Sequence, residues 1–200
     1  MGIRSFLAFE LPRQIRETIG PICGDLKSLP LTMRWVRIEN IHLTVVFMGD
    51  MPETALCAMA DGVEGVCREF GPFRVRLRGI GLFGSPRNPR VLWAGVDGDM
   101  DRLSAFRDAV GEVLRPFGVR RENRRFSPHL TLGRFRKKRG GPGPLLREAL
   151  RRYRDVESPM CAVNELVLFR SDLKPGGAVY TPVNTWPLSG GESTTIASRR

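Results

Sequence analysis

The sequence predicts an α+β fold: two similar lobes, each a helix-covered antiparallel β-sheet, related by an approximate two-fold. Three observations carry this. Apolar residues recur with period two in short runs and at alternating spacings of three and four in longer ones, the marks of strands and of amphipathic helices. These runs come in the order β-α-β-β-α-β-β-α-β-α-β-β. One tetrapeptide, His42-Leu43-Thr44-Val45, returns as His129-Leu130-Thr131-Leu132, 129 − 42 = 87 residues later, a spacing compatible with one copy per lobe. Neither lobe alone is large enough to be comfortable, so one cooperative domain is expected over 1–188.

Residues 3–9, rich in Phe and aliphatics, read as the first strand. Pro12 suits the opening of a helix, and Ile15, Ile19, Ile22 and Leu26 give it one apolar stripe before Pro30 closes it. Met33 to Ile38 is a short strand with Trp35 at a core or cleft edge. The first tetrapeptide lies on a strand over about 41–48, ended by the turn signal Gly49-Asp50. Pro52 opens a second helix with the stripe Leu56, Met59, Val63, Val66, Phe70, weakened by Gly62 and Gly65.

Phe73 to Arg78 alternates strictly between apolar residues and arginine, a strand with one buried face. A loop is expected over 84–89, from its Gly, Pro, Ser and Asn content, then a hairpin partner over 91–96 containing Trp93. A third helix spans about 100–116, with the stripe Leu103, Phe106, Val110, Val113, Phe117 and with Asp99 or Asp101 to cap it. The second tetrapeptide occupies a strand over about 128–135. A Lys/Arg/Gly/Pro loop (136–144), a short helix to about Arg152 and strands near 162–170 and 179–184 follow. From Ser189 to Arg200 the Gly/Ser/Thr-rich tail reads as disordered.

His42 and His129 are the chain's only histidines. With nine threonines in 200 residues, a threonine two places after each of them is not a product of composition. On a strand, residues i and i+2 share a face. Each tetrapeptide therefore offers an imidazole beside a hydroxyl, with its leucine turned the other way. Two such ledges on one cleft suit displacement at phosphorus. An ordinary imidazole pKa of ~6.5 lets one ring accept a proton while the other donates one, and Thr44 and Thr131 can hydrogen-bond the non-bridging oxygens. In-line attack requires the two rings on opposite sides of the phosphorus. Nothing here calls for a metal or a cofactor: Cys23, Cys57, Cys67 and Cys161 form no C-x-x-C pair, and free thiols in a reducing cytoplasm are expected.

The net charge of +11 favours partners carrying negative charge. Nine cations lie between 120 and 139 (Arg120, Arg121, Arg124, Arg125, Arg134, Arg136, Lys137, Lys138, Arg139) against one acid, Glu122. They can form a phosphate-binding groove around His129 or simply a solvated loop; Phe126 and Trp93 are candidate stacking partners for a base. Arg134 is five residues from His129, an odd offset, so it reaches the phosphate only if the strand twists or bulges near Gly133. Arg4 and Glu10 interrupt the first apolar run, so no signal peptide is expected, and no stretch is apolar enough for a membrane span.

The paired H-x-T-x motifs resemble those of the 2H phosphoesterases. Segments "RSFLAFELP", "ENIHLTVVFMGD", "RVLWAGV", "FSPHLTLGRF" and "YTPVNTWPL" are similar, in that order, to the branch of RNA 2′,3′-cyclic phosphodiesterases, also called 2′-5′ RNA ligases, and span about residues 3–188. The resemblance implies a bilobal fold with the active cleft between the lobes, and metal-independent opening of RNA 2′,3′-cyclic phosphate ends or cyclic nucleotides to the 2′-phosphomonoester. It implies His42 as proton donor, His129 as acceptor, and Thr44, Thr131 and Arg134 as substrate ligands. A reversible ligase using the same site, and a non-catalytic RNA-binding protein on the same scaffold, are the alternatives. A cytoplasmic monomer is expected.

Overall fold

The computed structural model describes residues 2–85, 88–120, 126–136, 143–175 and 177–191. In chain order the elements are β1 (Ile3–Glu10), α1 (Arg13–Ser28), β2 (Met33–Trp35), a 3-10 turn (Ile38–Asn40), β3 (His42–Met51), α2 (Glu53–Ala58), α3 (Ala60–Glu69), β4 (Phe73–Ser85), β5 (Asn88–Gly98), α4 (Met100–Leu114), β6 (His129–Phe135), α5 (Pro144–Arg152), β7 (Cys161–Val163), β8 (Glu165–Lys174) and β9 (Gly177–Pro187).

The strands form one curled antiparallel sheet in the order β7-β4-β5-β6-β3-β1-β8-β9, with β2 added on β6. Its two halves, β6-β5-β4-β7 and β3-β1-β8-β9, are the lobes expected from the sequence. They are joined through a single register pair, Leu43 opposite Leu130. Each leucine is the second residue of its tetrapeptide, and both are buried, so the two motifs meet back to back around a local two-fold. At that register His42 stands opposite Thr131 and Thr44 opposite His129.

The apolar run of β1 is explained by burial on both faces. Leu7 and Phe9 belong to the main core, whereas Phe6 and Ala8 pack with Val167 and Phe169 of β8 in a second cluster. The main core crosses from half to half: the Phe9 ring lies 5.8 Å from that of Phe73 on β4 and 5.8 Å from that of Phe106 on α4. The stripe of α1 is buried as read, and so are Phe73, Val75 and Leu77 on β4.

Several elements differ from expectation for local reasons. The second helix is two, α2 and α3, parted at Met59, and Phe70 is extended beyond it. The α4 stripe closes on Leu114 rather than Val113 and Phe117. Asp99 makes no side-chain cap; its carboxylate accepts from the Arg74 backbone N–H at 2.9 Å and from Arg102 at 3.1 Å. Most of the expected 84–89 loop is hairpin: Gly84 pairs with Pro89 and Ser85 with Asn88. Gly84 has φ +106°, and a Cβ there would sit 2.6 Å from the Asn88 carbonyl oxygen. The expected 162–170 strand is split at Asn164 into β7 and β8. Ser189 and Gly190 donate backbone N–H bonds to Cys67 and Phe70, so the start of the tail is docked; 192–200 lie outside the described residues. Among the described residues, no helix is long and apolar enough to cross a membrane.

Candidate active site

A cavity of about 650 Å³ opens on the face where the motifs meet, with His42, Thr44, Thr131 and Arg134 in its wall. His129 is not a wall residue; the register places it opposite Thr44, and its charge reaches His42.

The two imidazoles are held in the same way. Nδ1 of His42 is 2.8 Å from the Asn40 carbonyl oxygen, and Nδ1 of His129 is 2.9 Å from that of Ser127. Each partner is two residues upstream. A carbonyl can only accept, so Nδ1 carries the proton in both rings. Each Nε2 is thereby left without a hydrogen-bond partner among the described residues, a base when the ring is neutral and a donor when it is charged.

Their surroundings differ. His42 stacks on Phe6 at 4.6 Å and meets the edge of Tyr180 at 5.3 Å. This burial pulls its pKa below the ordinary imidazole value; the Asn40 carbonyl opposes the shift, and the nearby charges of His129 and Arg134 add to it. His129 has one described aromatic neighbour, Phe83, edge-on at 4.7 Å. Tyr180 itself is pushed up by burial, against the pull of Arg134 and Arg4, so its phenol stays neutral and can donate to a substrate oxygen.

Arg134 reaches the cleft through a bulge. In the β5–β6 ladder Leu92 pairs with Gly133 and Trp93 with Thr131, which leaves Leu132 as an extra residue. The extra residue reverses the alternation, so Leu132 stays buried and Arg134 turns to the side of His129 and Thr131. Gly133 allows this: a Cβ there would lie 2.9 Å from Met33 Cε and 3.2 Å from the Arg34 carbonyl oxygen.

The two aromatic candidates do not reach the cleft. Phe126 is half-buried under Arg107 (5.1 Å). Trp93 packs beside Phe83, and its buried Nε1 has no partner among the described residues. Neither lines the cavity. Arg121, Glu122, Arg124, Arg125, Lys137, Lys138 and Arg139 lie outside the described residues. Among the described residues, the cleft takes its cations besides Arg134 from Arg4, Arg34, Arg37 and Lys174, and its accessible rings from Trp35, Phe47 and Tyr180. Sequence reading missed most of these because they are scattered over five strands and a turn. The visible signal was Phe47, an apolar residue that a single strand period would have buried. Among the described residues no group of three His, Cys, Asp or Glu side chains is placed to hold a metal.

This arrangement can move two protons across one anionic group, and known proteins share its frame. The sequence model described as LigT like Phosphoesterase matches twice, over residues 9–93 and 96–180, one match around each motif. A protein of Methanothermobacter thermautotrophicus named RNA 2′,3′-cyclic phosphodiesterase is 34% identical over 188 residues, 94% of this chain and 100% of that one. A crystal structure of a Thermus thermophilus protein superposes with TM-score 0.76 at 27% identity, covering 94% of this chain and 98% of that one. The E. coli LigT complexed with 3′-AMP gives 0.71 at 26%, covering 94% and 99%. With its two half-chain matches, one histidine motif in each, the chain belongs to the LigT-like family of 2H phosphoesterases.

Proposed function

We propose that the chain hydrolyses RNA 2′,3′-cyclic phosphate ends to 2′-phosphomonoesters, using His42 and His129 as general acid and base. The observation that supports this best is the matched tethering of the two Nδ1 atoms, which leaves two free Nε2 atoms on strands that meet at one register pair. Water attacks phosphorus on one side, and one neutral imidazole takes its proton. The P–O3′ bond breaks on the other side, and the charged imidazole gives its proton to O3′. After turnover the two rings have exchanged protonation states, which exchange with solvent resets. Thr44 and Thr131 hydroxyls, with Arg134, hold the non-bridging oxygens as charge builds on them. The curated relative named RNA 2′,3′-cyclic phosphodiesterase supports the same substrate.

The family resemblance makes His42 the donor, yet burial and neighbouring cations favour its neutral form before substrate binds. A bound phosphodiester carries the negative charge that offsets the cations. His42 therefore takes up its proton together with substrate. Phosphorus NMR of 2′,3′-cyclic AMP incubated with the protein tests the reading. The expected product has the phosphate on O2′; an unopened ring, or phosphate left on O3′, sinks it.

A further inference from the structure

The cleft carries more positive charge than one phosphodiester needs. Arg4, Arg34, Arg37, Arg134 and Lys174 line it, and no carboxylate does among the described residues. None of these five is in an ion pair among the described residues. Elsewhere the surface arginines are commonly neutralised, as Arg76 and Arg78 are by Asp97 and Glu157. Arg34 stands directly opposite Arg134 in the β2–β6 ladder, and like charges directly opposite in a sheet are unfavourable. A cleft of one sign focuses its field on an anion.

The cations fall into two sets. Arg134 and Arg4 act on the ring that packs against His42, since both pull on the Tyr180 pKa. Lys174 lies at the end of β8, three residues past Ser171, which pairs with Tyr180. That puts it about 10 Å along the strand from Ser171, the partner of the tyrosine whose ring meets His42. Arg37 lines the same cavity from a segment tied to that hairpin: Asn40, three residues on, donates its side-chain amide to the Ala178 carbonyl oxygen at 3.1 Å, next to the tip of the β8–β9 hairpin. The cavity wall thus holds the motif residues together with Arg34, Trp35, Arg37 and Lys174, the last of them at the β8 end of the β8–β9 hairpin.

We propose that Arg34, Arg37 and Lys174 form a second phosphate subsite, one nucleotide away from the histidines, which takes the phosphate on the 5′ side of the terminal nucleotide. An RNA end that carries an upstream phosphate is then bound more tightly than a bare cyclic mononucleoside phosphate, which the first subsite alone still accepts. This rests on the cyclic-phosphodiesterase reading for what occupies the first subsite.

Binding separates the two subsites without any turnover. Calorimetry compares adenosine 3′,5′-bisphosphate with 3′-AMP on the full chain, wild type and Arg37→Ala/Lys174→Ala. In the wild type the bisphosphate is expected to bind about tenfold tighter, the usual worth of a charge-assisted contact. In the double variant that ratio is expected to fall to near one. Equal affinities in the wild type, or a ratio that persists in the variant, overturn the proposal. Both side chains are exposed, so the fold is not at stake; a single charge reversal, Arg37→Glu, should lower the ratio further than Arg37→Ala. Failure to open 2′,3′-cyclic AMP would sink the phosphodiesterase reading alone, because the binding ratio judges the subsite independently of catalysis.

Discussion

Val45 and Leu132 are structural counterparts: each is the fourth residue of its motif, and each is the extra residue in its strand. Leu7 pairs with Val46 and Ala8 with Thr44, which skips Val45; Leu92 and Trp93 skip Leu132 in the same way. Both are buried. The matched bulges turn the residue five places after each histidine towards the cleft, Phe47 in one half and Arg134 in the other. The frame is symmetric and its furnishing is not. Phe47 is 50% exposed and carries the Arg4 guanidinium over its ring at 4.7 Å, so one wall offers an aromatic face and the other a bare cation.

Replacing either histidine with alanine removes one of the two proton transfers. A loss of about 10²–10⁴-fold in kcat is expected for each, with melting temperature little changed because both rings lie on the cleft face. Hydrolysis of 2′,3′-cyclic AMP with and without EDTA is the measurement. Activity kept above a tenth in either variant, or abolished by EDTA and restored by zinc, would contradict the two-imidazole mechanism.

The His42 titration, followed by proton NMR, should give a pKa below the ordinary ~6.5. Burial is the largest cause, with His129 and Arg134 adding to it. Arg134→Gln is expected to raise that pKa while leaving it under the ordinary value, since burial remains. A value unmoved or lowered by the substitution would show that Arg134 does not act on the ring. Added 2′-AMP should raise it in the wild type.

Stability follows from the same shift. The folded state resists protonating His42 more than the unfolded chain does, so the unfolded chain binds more protons over the interval below pH ~6.5. Stability is expected to fall as pH drops through that interval and to be insensitive to this group above it. His42→Gln should flatten that part of the denaturation profile; an unchanged slope would assign it elsewhere.

Phe9→Ala empties a site shared by both halves. A cost of about 3–5 kcal/mol is expected, read by urea denaturation. Because the Phe9 ring touches Phe73 and Phe106, the loss should appear in one transition that includes the β4–β5 region. Two separated transitions would show that the halves unfold independently.

Thiol labelling should discriminate among the cysteines. Cys57 is exposed, whereas Cys23, Cys67 and Cys161 are buried, and burial, with Glu64 nearby, pushes Cys67 up to about 12. One fast-reacting thiol, lost in Cys57→Ser, is expected in the native protein at neutral pH. Fast labelling of Cys67 would mean that the α3 packing opens readily.

Much of this was legible beforehand because periodicity reports burial. The stripe of α1 and the alternation of β4 were read correctly from spacing alone, and the two motif strands were placed by their shared tetrapeptide. The need for a bulge near Gly133 was legible too, since an odd offset cannot otherwise bring Arg134 round to His129. What escaped depends on contacts between distant segments. The break at Met59 and the docking of Ser189 on Cys67 leave no local pattern. Charge density around 120–139 points to one region, from which Arg134 lines the cleft; the other cleft cations among the described residues come singly from β1, β2, the turn after it and β8. Composition cannot show residues that converge only in space.

β1 is eight residues long and has no side to spare. Its Phe6 is the floor on which the His42 ring rests, and three positions along, its Phe9 is wedged between Phe73 and Phe106 of the opposite half. A disturbance of packing under α4 can therefore tilt an imidazole it never touches, transmitted down one ribbon. Substitutions remote from the cavity should be sorted by whether they lean on that ribbon, not by their distance from the phosphorus.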